Sequence, residues 1–234
     1  YQMTPLAWAA LHGNLDTVKM LIEKGADIEM PNRTNMSPLA SAVCGGDMAV
    51  IEYLIEQGAD IDCKDIHSRN LLELAARYGH FEAVRYFVNL GFEVNCQVKN
   101  NRSPLVSAIA GGHIELAEYF LSRSADLETV DIDGWTPIFH SVINGHLELT
   151  NKLLQQGANI NHLDSYGKYP LNWAIEKGHS DIEALLLGAK VTRDDCGDEK
   201  SFGFTFPGGS GFMSMALDSK NNKKFNSAVS DMMD

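Results

Sequence analysis

The feature that most constrains this chain is an internal repeat with a period of 33 residues. Its landmark is the triplet Thr4, Pro5 and Leu6, which returns in modified form in every later copy, although the third copy lacks the proline. A fixed period of this length predicts a solenoid, in which each unit stacks on its neighbours to bury a continuous core. The six copies are 3–35, 36–68, 69–101, 102–134, 135–167 and 168–191.

The copy at 102–134 shows why each unit needs its neighbours. Ser103 is a typical N-cap residue, and Pro104 stands at the first helical position, where its missing N–H costs nothing. Gly112 ends this helix, and a second, strongly apolar helix begins near His113. The rest of the copy forms an extended finger. Helices this short are marginal alone in water. The sequence therefore predicts stacked helix-turn-helix units.

The repeated unit resembles the ankyrin repeat, because it follows the pattern T-P-L-x-x-A-x-x-x-G-H-x-E-x-x-x-x-L-L-x-x-G-A-D-I. The resemblance covers residues 3 to about 191. It implies an all-α solenoid with β-hairpin-like fingers, in which the first helices and the fingers line a concave binding side. The family's signature has a histidine after T-P-L that usually bridges neighbouring repeats. Here that position holds Ala7, Ala40, Glu73, Val106, Phe139 and Asn172.

The resemblance ends near residue 191. We expect the sixth copy to cap the stack, since terminal repeats are commonly atypical. Its second helix, 182–188, looks about two residues shorter than the corresponding stretch 149–157. The tail at 192–234 loses the period and contains an aromatic and glycine-rich stretch. This composition favours a linker or a docking segment, with a partly disordered tail as the alternative.

Composition narrows the class of partner and compartment. The formal charge is −12, which makes nucleic acid and anionic membranes poor partners and favours a protein segment that is basic or of mixed charge. No apolar run approaches the roughly 18 residues of a membrane span, so we expect no membrane insertion. Cys63 and Cys96 share one repeat position and would lie too far apart for a disulfide. Free thiols indicate the cytoplasm or the nucleus.

No group of residues in the sequence indicates catalysis. Four histidines follow the repeated glycine in each of four copies and are explained by the repeat: His80, His113, His146 and His179. The carboxylates also recur at repeat positions, and no two are marked as an acid pair. Phosphate-loop, dinucleotide-binding and serine-nucleophile motifs are missing from the sequence. We therefore predict a protein that is not an enzyme and uses no cofactor or metal.

The candidate binding surface follows by subtraction, since positions that vary along the first helices are not needed for the stack. Arg77 and Tyr78 stand out as large residues of the types that dominate interfaces. Small residues at the equivalent positions of neighbouring copies would leave room for a partner side chain: Cys44, Gly45, Ala110 and Gly111. The alternative is that Tyr78 fills the space left by the glycines. Further candidates on this side are Trp8, Leu74, His140, Asn144 and Trp173.

The predicted finger tips differ in charge along the array. The first three are comparatively basic, through Arg33, Lys64, Arg69, Lys99 and Arg102. The last two are acidic, through Asp131, Asp133 and Asp164. His67 also lies on a finger, open to a partner. We expect an extended partner whose acidic part binds the early fingers and whose basic part binds the late ones.

These observations predict a protein-protein interaction module that belongs to a larger intracellular protein. The alternative is a regulatory or substrate-recruiting region of an enzyme or channel whose catalytic or pore part lies outside this chain. The full-length sequence would separate the two. The sequence carries no indication of the oligomeric state.

Overall fold

The structure, a computed structural model, describes residues 3–96, 102–194, 203–204 and 213–214, with side chains up to residue 189. The chain divides into two compact units, Tyr1–Ala189 and Lys190–Asp234. The first unit is an all-α repeat solenoid, as predicted.

Each repeat contributes two helices. The first helices are α1 Pro5–Leu11, α3 Pro38–Gly45, α5 Leu71–Tyr78, α7 Pro104–Ala110, α9 Pro137–Ile143 and α11 Pro170–Lys177. The second helices are α2 Leu15–Glu23, α4 Met48–Glu56, α6 Phe81–Asn89, α8 Ile114–Ser122, α10 Leu147–Gln155 and α12 Ser180–Asp194. No helix before α12 exceeds nine residues. Such helices do not persist alone in water, so stacking must hold them.

Capping residues explain where the first helices begin. The side chains of Thr4, Ser37 and Ser103 each accept a bond from the backbone N–H three residues later, and a proline follows at the first helical position. In the third repeat, which lacks the proline, Asn70 accepts the same bond from Glu73 at 2.9 Å. A capping side chain satisfies one of the N–H groups that the helix leaves unpaired. The cap therefore preserves the helix start without proline.

The first helix of each repeat packs on the first helix of the next, from α1 on α3 to α9 on α11. Ala42, Ala75 and Ala108 lie fully buried along this row, where small side chains let the helices approach. Phe87 and Phe120, on the second helices, are among the largest fully buried side chains. Burial of such a side chain stabilises the fold by roughly 1.5–3 kcal/mol. The repeats thus share one continuous core.

Side-chain hydrogen bonds also join neighbouring repeats. The Nε2 atoms of three in-register histidines donate to carbonyl oxygens of the preceding repeat: His80 to Cys44 at 2.9 Å, His113 to Arg77 at 3.1 Å and His179 to Ile143 at 3.3 Å. This confirms that the repeat explains these three histidines. At the position of the missing signature histidine, Glu73 Oε1 accepts a bond from Ser107 Oγ in the next repeat at 2.7 Å.

The fingers are tight turns built on one asparagine or aspartate. Asn32, Asp65, Asp131 and Asp164 each accept backbone N–H groups two and four residues later. One backbone bond closes each turn like a hairpin, for example Asp164 N to Lys168 O at 3.0 Å. Backbone bonds also join neighbouring fingers, as from Ser165 N to Asp133 O at 3.0 Å. The first two fingers and the last two are therefore braced in pairs.

The last repeat differs from the expectation. The sequence pattern predicts a shortened second helix ending at Gly188, but α12 runs to Asp194 and has 15 residues. Gly188 lies inside the helix, with open space where a Cβ would stand. A single glycine inside a helix costs only about 1 kcal/mol, and Ala189 and Lys190 favour the helical state. The glycine therefore does not end the helix.

Two short strands lie in the second unit. β1, Gly203–Phe204, pairs antiparallel with β2, Met213–Ser214, with Gly203 opposite Ser214. The remaining positions of the predicted tail after Asp194 lie outside the described residues. The linker or docking role of the tail stays a prediction.

Candidate protein-interaction surface

Three fingers carry an aspartate at the same repeat position, namely Asp65, Asp131 and Asp164, and all three are buried. Each fixes its own turn through backbone N–H groups. The remaining carboxylate oxygen of each aspartate faces side chains of the same or the next repeat, and these partners differ from finger to finger. The partners decide what each part of the surface offers to a ligand.

Asp164 is held by neutral donors. Its Oδ1 accepts the backbone N–H groups of Tyr166 and Lys168, at 2.9 and 2.8 Å. Its Oδ2 accepts the indole Nε1–H groups of Trp135 and Trp173, at 3.0 and 2.7 Å. Burial alone would raise the pKa of Asp164, but these four donors outweigh it and hold the pKa below its ordinary value. The carboxylate is ionised and fully hydrogen-bonded, without a cation bonded to it.

Asp131 has mixed partners. Beside the two N–H groups of its turn, its Oδ2 lies 3.0 Å from His140 Nε2 and 3.7 Å from Arg102 Nε. Burial opposes ionisation, yet the bond from His140 and the turn N–H groups lower the pKa of Asp131. Its side chain is only 1% exposed. A partner protein therefore cannot reach this carboxylate.

Asp65 is held by a charged donor. Arg69 places its Nε 2.7 Å from Asp65 Oδ2, and the pKa of Asp65 is lowered because this pairing overcomes the cost of burial. Glu73 lies behind the pair, with its Oε2 3.9 Å from Arg69 Nε and without a hydrogen-bond partner. Burial raises the pKa of Glu73 despite the bond from Ser107. The charges of Asp65 and Arg69 are therefore paired with each other within this early finger.

An aromatic cluster surrounds the Asp164 finger. The rings of Trp135 and Trp173 meet edge to face with centroids 5.5 Å apart, and Tyr166 meets Trp173 in the same way at 6.4 Å. The hydroxyl of Tyr166 donates to Asp133 Oδ1 at 3.2 Å. Ile132 extends the cluster at the tip of the preceding finger. We call Ile132, Trp135, Tyr166, Lys168 and Trp173 the late finger surface.

Two members of this surface are strongly exposed, Ile132 at 67% and Tyr166 at 63%. A cation covers part of the cluster, since Lys168 Nζ lies 4.5 Å from the centre of the Trp173 ring. The same Nζ donates to both carboxylate oxygens of Glu176, at 2.7 and 2.8 Å. The surface thus combines exposed apolar groups, an aromatic face and an ion pair.

Six predicted site residues are exposed: Trp8, Arg33, His67, Arg77, Tyr78 and Asn144. Trp8 stacks on His12 with ring centroids 3.7 Å apart, and both line a cavity of ≈ 410 Å³ on the first repeat. Trp173 and Asp133 are half-buried. Lys99 lies outside the described residues.

Three predicted site residues are corrected, because a buried side chain cannot contact a partner. Leu74 is 1% exposed and belongs to the core. His140 is 3% exposed and is bonded to Asp131. Asp131 is the third corrected residue, because it is itself only 6% exposed. Asp164, which the sequence predicted as an acidic finger charge, is also buried. Of the three predicted acidic finger residues, Asp133 is therefore the accessible one. The sequence pattern could not separate inward from outward positions.

The small residues beside Tyr78 also have a structural cause. A Cβ on Gly45 would lie 2.1 Å from the carbonyl oxygen of Leu11, and one on Gly111 would lie 3.1 Å from that of Arg77. These glycines allow close stacking and do not make room for a ligand. The pKa of the Cys44 thiol is raised to about 12, chiefly by burial, and Tyr78 contributes a hydrogen bond to it. Tyr78 itself keeps 47% of its surface exposed.

The cysteines Cys44, Cys63 and Cys96 are free thiols. Ser37 Oγ donates to Cys63 Sγ at 3.4 Å, and Asn70 Nδ2 donates to Cys96 Sγ at the same distance. Burial raises the pKa of both thiols. They remain protonated near neutral pH and act as weak acceptors for helix-capping side chains.

Sequence reasoning missed four members of the late finger surface: Ile132, Trp135, Tyr166 and Lys168. A signal was present, since Tyr166 occupies the repeat position of Thr34, His67 and Asp133, and Ile132 that of Arg33 and Ile66. Large apolar residues at turn positions have no role in a turn. What the sequence could not supply was the contact of Trp135 with the next finger.

Across the residues that the structure describes, no set of three or more histidine, cysteine or acidic side chains is arranged to hold a metal ion. Within the same ranges, no helix combines the length and apolar character needed to cross a membrane.

The sequence matches a family described as "Ankyrin repeats (3 copies)" over residues 1–65, 39–131 and 124–195. The crystal structure of the human ASB11 ankyrin repeat domain is similar to this one, with a TM-score of 0.70 and 26% sequence identity over 80% of this chain and 84% of that chain. A search of curated proteins finds no significant match. The matched segments span most of the chain and coincide with the stacked helix pairs. This chain belongs to the ankyrin repeat family.

Proposed function

We propose that this chain is a non-enzymatic protein-protein interaction module that binds a partner protein through the late finger surface. The observation that carries the proposal is the exposure of Ile132 and Tyr166 on braced fingers. Neither side chain is needed for its turn, because Asp131, Asp164 and the backbone supply the turn's bonds. Large apolar groups exposed without a structural role are typical of interaction sites.

The surface is suited to binding because it is formed before the partner arrives. The indoles of Trp135 and Trp173 are fixed by Asp164, so they lose little freedom in a complex. Fixed side chains reduce the entropic cost of association. Interface hot spots commonly have tyrosine and tryptophan at the centre and charged residues at the edge.

An extended partner would also reach the early fingers. Arg33 and Lys64 are exposed on these fingers, and Arg77 is exposed at the end of α5. None of the three takes part in an ion pair among the described residues. We keep the proposal of a partner with an acidic part on these fingers. Its basic part faces Asp133 and Glu176, which replace the buried Asp131 and Asp164 in this role. Free thiols in the described repeats support a cytoplasmic or nuclear setting.

Affinity capture with matched variants tests this proposal. The test variant is Ile132→Ala with Tyr166→Ala. The control is Ile66→Ala with His67→Ala, which changes the same two repeat positions on an early finger. A third variant, Arg77→Ala with Tyr78→Ala, tests the surface predicted from the sequence. All of these side chains are exposed, so the fold should be retained, and circular dichroism checks this.

The expected result is a set of proteins lost by the test variant and kept by the control. Losses with the Arg77 and Tyr78 variant alone would move the interface to the third repeat. If all variants capture the same proteins as the unmodified chain, the late finger surface is not the binding site.

A further inference from the structure

We propose that the late finger surface receives a lysine or arginine side chain of a partner protein, and that Lys168 occupies the place of this cation in the free protein. The proposal rests on the proposed function and names the chemistry of the partner. It is carried by the ring of Trp173, the carboxylates around it and the partly exposed ion pair of Lys168 with Glu176.

The Trp173 ring already acts as a cation acceptor. The ring packs at steep angles against Trp135 and Tyr166. Two lysines lie near it, with Lys168 Nζ 4.5 Å and Lys177 Nζ 5.9 Å from its centre. Cations are attracted to the negative face of an aromatic ring, most strongly to tryptophan. The indole nitrogen is bonded to Asp164, so the orientation of the ring is set by the protein.

The charge around the ring favours a further cation. Asp131, Asp133, Asp164 and Glu176 supply four carboxylates, against the three permanent cations Arg102, Lys168 and Lys177. His140 is the titratable neighbour bonded to Asp131. Asp164 is satisfied by neutral N–H donors, so its charge has no cation bonded to it. The pKa of Tyr166 is raised by the charge of Asp133, then by the hydrogen bond to Asp133 and by desolvation, with smaller contributions from Asp164 and Asp131.

Lys168 can be displaced at small cost. The side chains of Lys168 and Glu176 are 34% and 47% exposed, and ion pairs this accessible contribute little to stability. A partner's lysine or arginine would take over both the Trp173 face and Glu176, while the Lys168 ammonium moves into water. The aliphatic stem of the incoming side chain would pack on Tyr166 or Ile132, since long cationic side chains bury their stems on apolar surface.

The test uses the full chain and a random twelve-residue peptide library displayed on phage, followed by anisotropy titrations of selected peptides at two salt concentrations. Tyr166→Ala removes part of the aromatic surface, Glu176→Gln removes the carboxylate, and Lys168→Met removes the internal cation. His67→Ala is the control at the repeat position of Tyr166. Tyr166, Glu176 and His67 are exposed, and Lys168 is half-buried with a side chain that is 34% exposed.

We expect lysine or arginine to be enriched at one position of the selected peptides. Affinity should fall several-fold in Glu176→Gln and in Tyr166→Ala, and should rise about three- to tenfold in Lys168→Met, because a cation on an indole face is worth this factor. His67→Ala should leave it unchanged. Replacing the peptide's enriched cation by norleucine should abolish the effect of Lys168→Met.

Two outcomes overturn the cation proposal alone. One is a set of peptides that depend on Tyr166 but carry no excess of lysine or arginine, in which case the surface binds protein by another chemistry. The other is a set of cationic peptides whose affinity is unchanged by Glu176→Gln and by Lys168→Met. That result would indicate general electrostatic attraction to a chain of charge −12. If the affinity of the selected peptides is unchanged by Tyr166→Ala, the proposed function is contradicted as well. Self-association that Tyr166→Ala abolishes would assign the surface to a second copy of the chain.

Discussion

The fingers at Asp65 and Asp164 share one turn and differ in what satisfies it. Both aspartates accept N–H groups two and four residues later, and both have a lowered pKa. Arg69 neutralises Asp65, whereas two indoles donate to Asp164 without neutralising it. In the Asp65 finger, the carboxylate charge is paired with the charge of Arg69. The other finger exposes aromatic groups above a buried carboxylate that, among the described residues, has no cation bonded to it.

The comparison teaches that a repeated backbone feature can support different surfaces. Lys168 occupies the repeat position of Arg69, yet it pairs with Glu176 because the indoles already fill Asp164 Oδ2. The partner of each carboxylate, and not the turn itself, separates the early from the late fingers. Four predictions test this difference, ordered from the largest effect on stability to the smallest.

Asp164→Ala should lower the free energy of unfolding by about 3 kcal/mol, because four N–H donors, two of them indoles, lose their acceptor. Asp65→Ala should cost less, about 2 kcal/mol, since Arg69 can turn its charge to water. Urea unfolding followed by circular dichroism measures both. An equal or larger loss for Asp65→Ala would mean that the type of donor does not distinguish the two fingers.

Trp173→Leu places in the last repeat the residue that the third repeat has at the same position, Leu74. We expect a loss of about 1.5 kcal/mol, from one hydrogen bond to Asp164 and the edge contacts with Trp135 and Tyr166. Tryptophan fluorescence and urea unfolding provide the measurement. Unchanged stability would show that the aromatic cluster does not brace the late finger.

Glu73→Gln should stabilise the early region by about 1 kcal/mol at neutral pH, since it removes a buried charge with one unpaired oxygen. The folded pKa of Glu73 is raised above its reference value of 4.5, so the wild type loses stability as pH rises through that folded pKa. The gain should therefore shrink as the pH is lowered toward about 4. Asp65 and Asp164 act oppositely, since their lowered pKa values give stability that acid removes. A gain that persists unchanged in acid would contradict this assignment.

Tyr166→Ala and His67→Ala should each change stability by less than about 0.5 kcal/mol, as is usual for exposed positions without a structural role. Thermal unfolding measures the two variants side by side. Tyr166→Ala should weaken partner binding, whereas His67→Ala should not, and the two variants should have the same folding stability. A destabilisation near 2 kcal/mol for Tyr166→Ala would show that its contact with Asp133 is structural.

Much of the fold could be predicted from single positions. Capping residues such as Ser103, the repeated glycines and the buried alanines follow the 33-residue period directly. The end of α12 could not be predicted this way, because Gly188 matches a helix-ending pattern while its surroundings tolerate a continuing helix. Among the candidate site residues, Arg77 and Tyr78 were found by their size, but Leu74 and His140 were assigned to the surface although they are buried.

The sequence by itself determined the solenoid, because a period that places caps, small residues and apolar residues at the same positions in every copy has one consistent way to bury them. Only the tertiary structure decided which finger residues are accessible. The reason is that Asp131 and Asp164 are bonded to side chains 9 to 29 positions away, two of them in the next repeat. Such contacts depend on how the repeats stack, and they turn two apparently free acids into the buried supports of an aromatic surface.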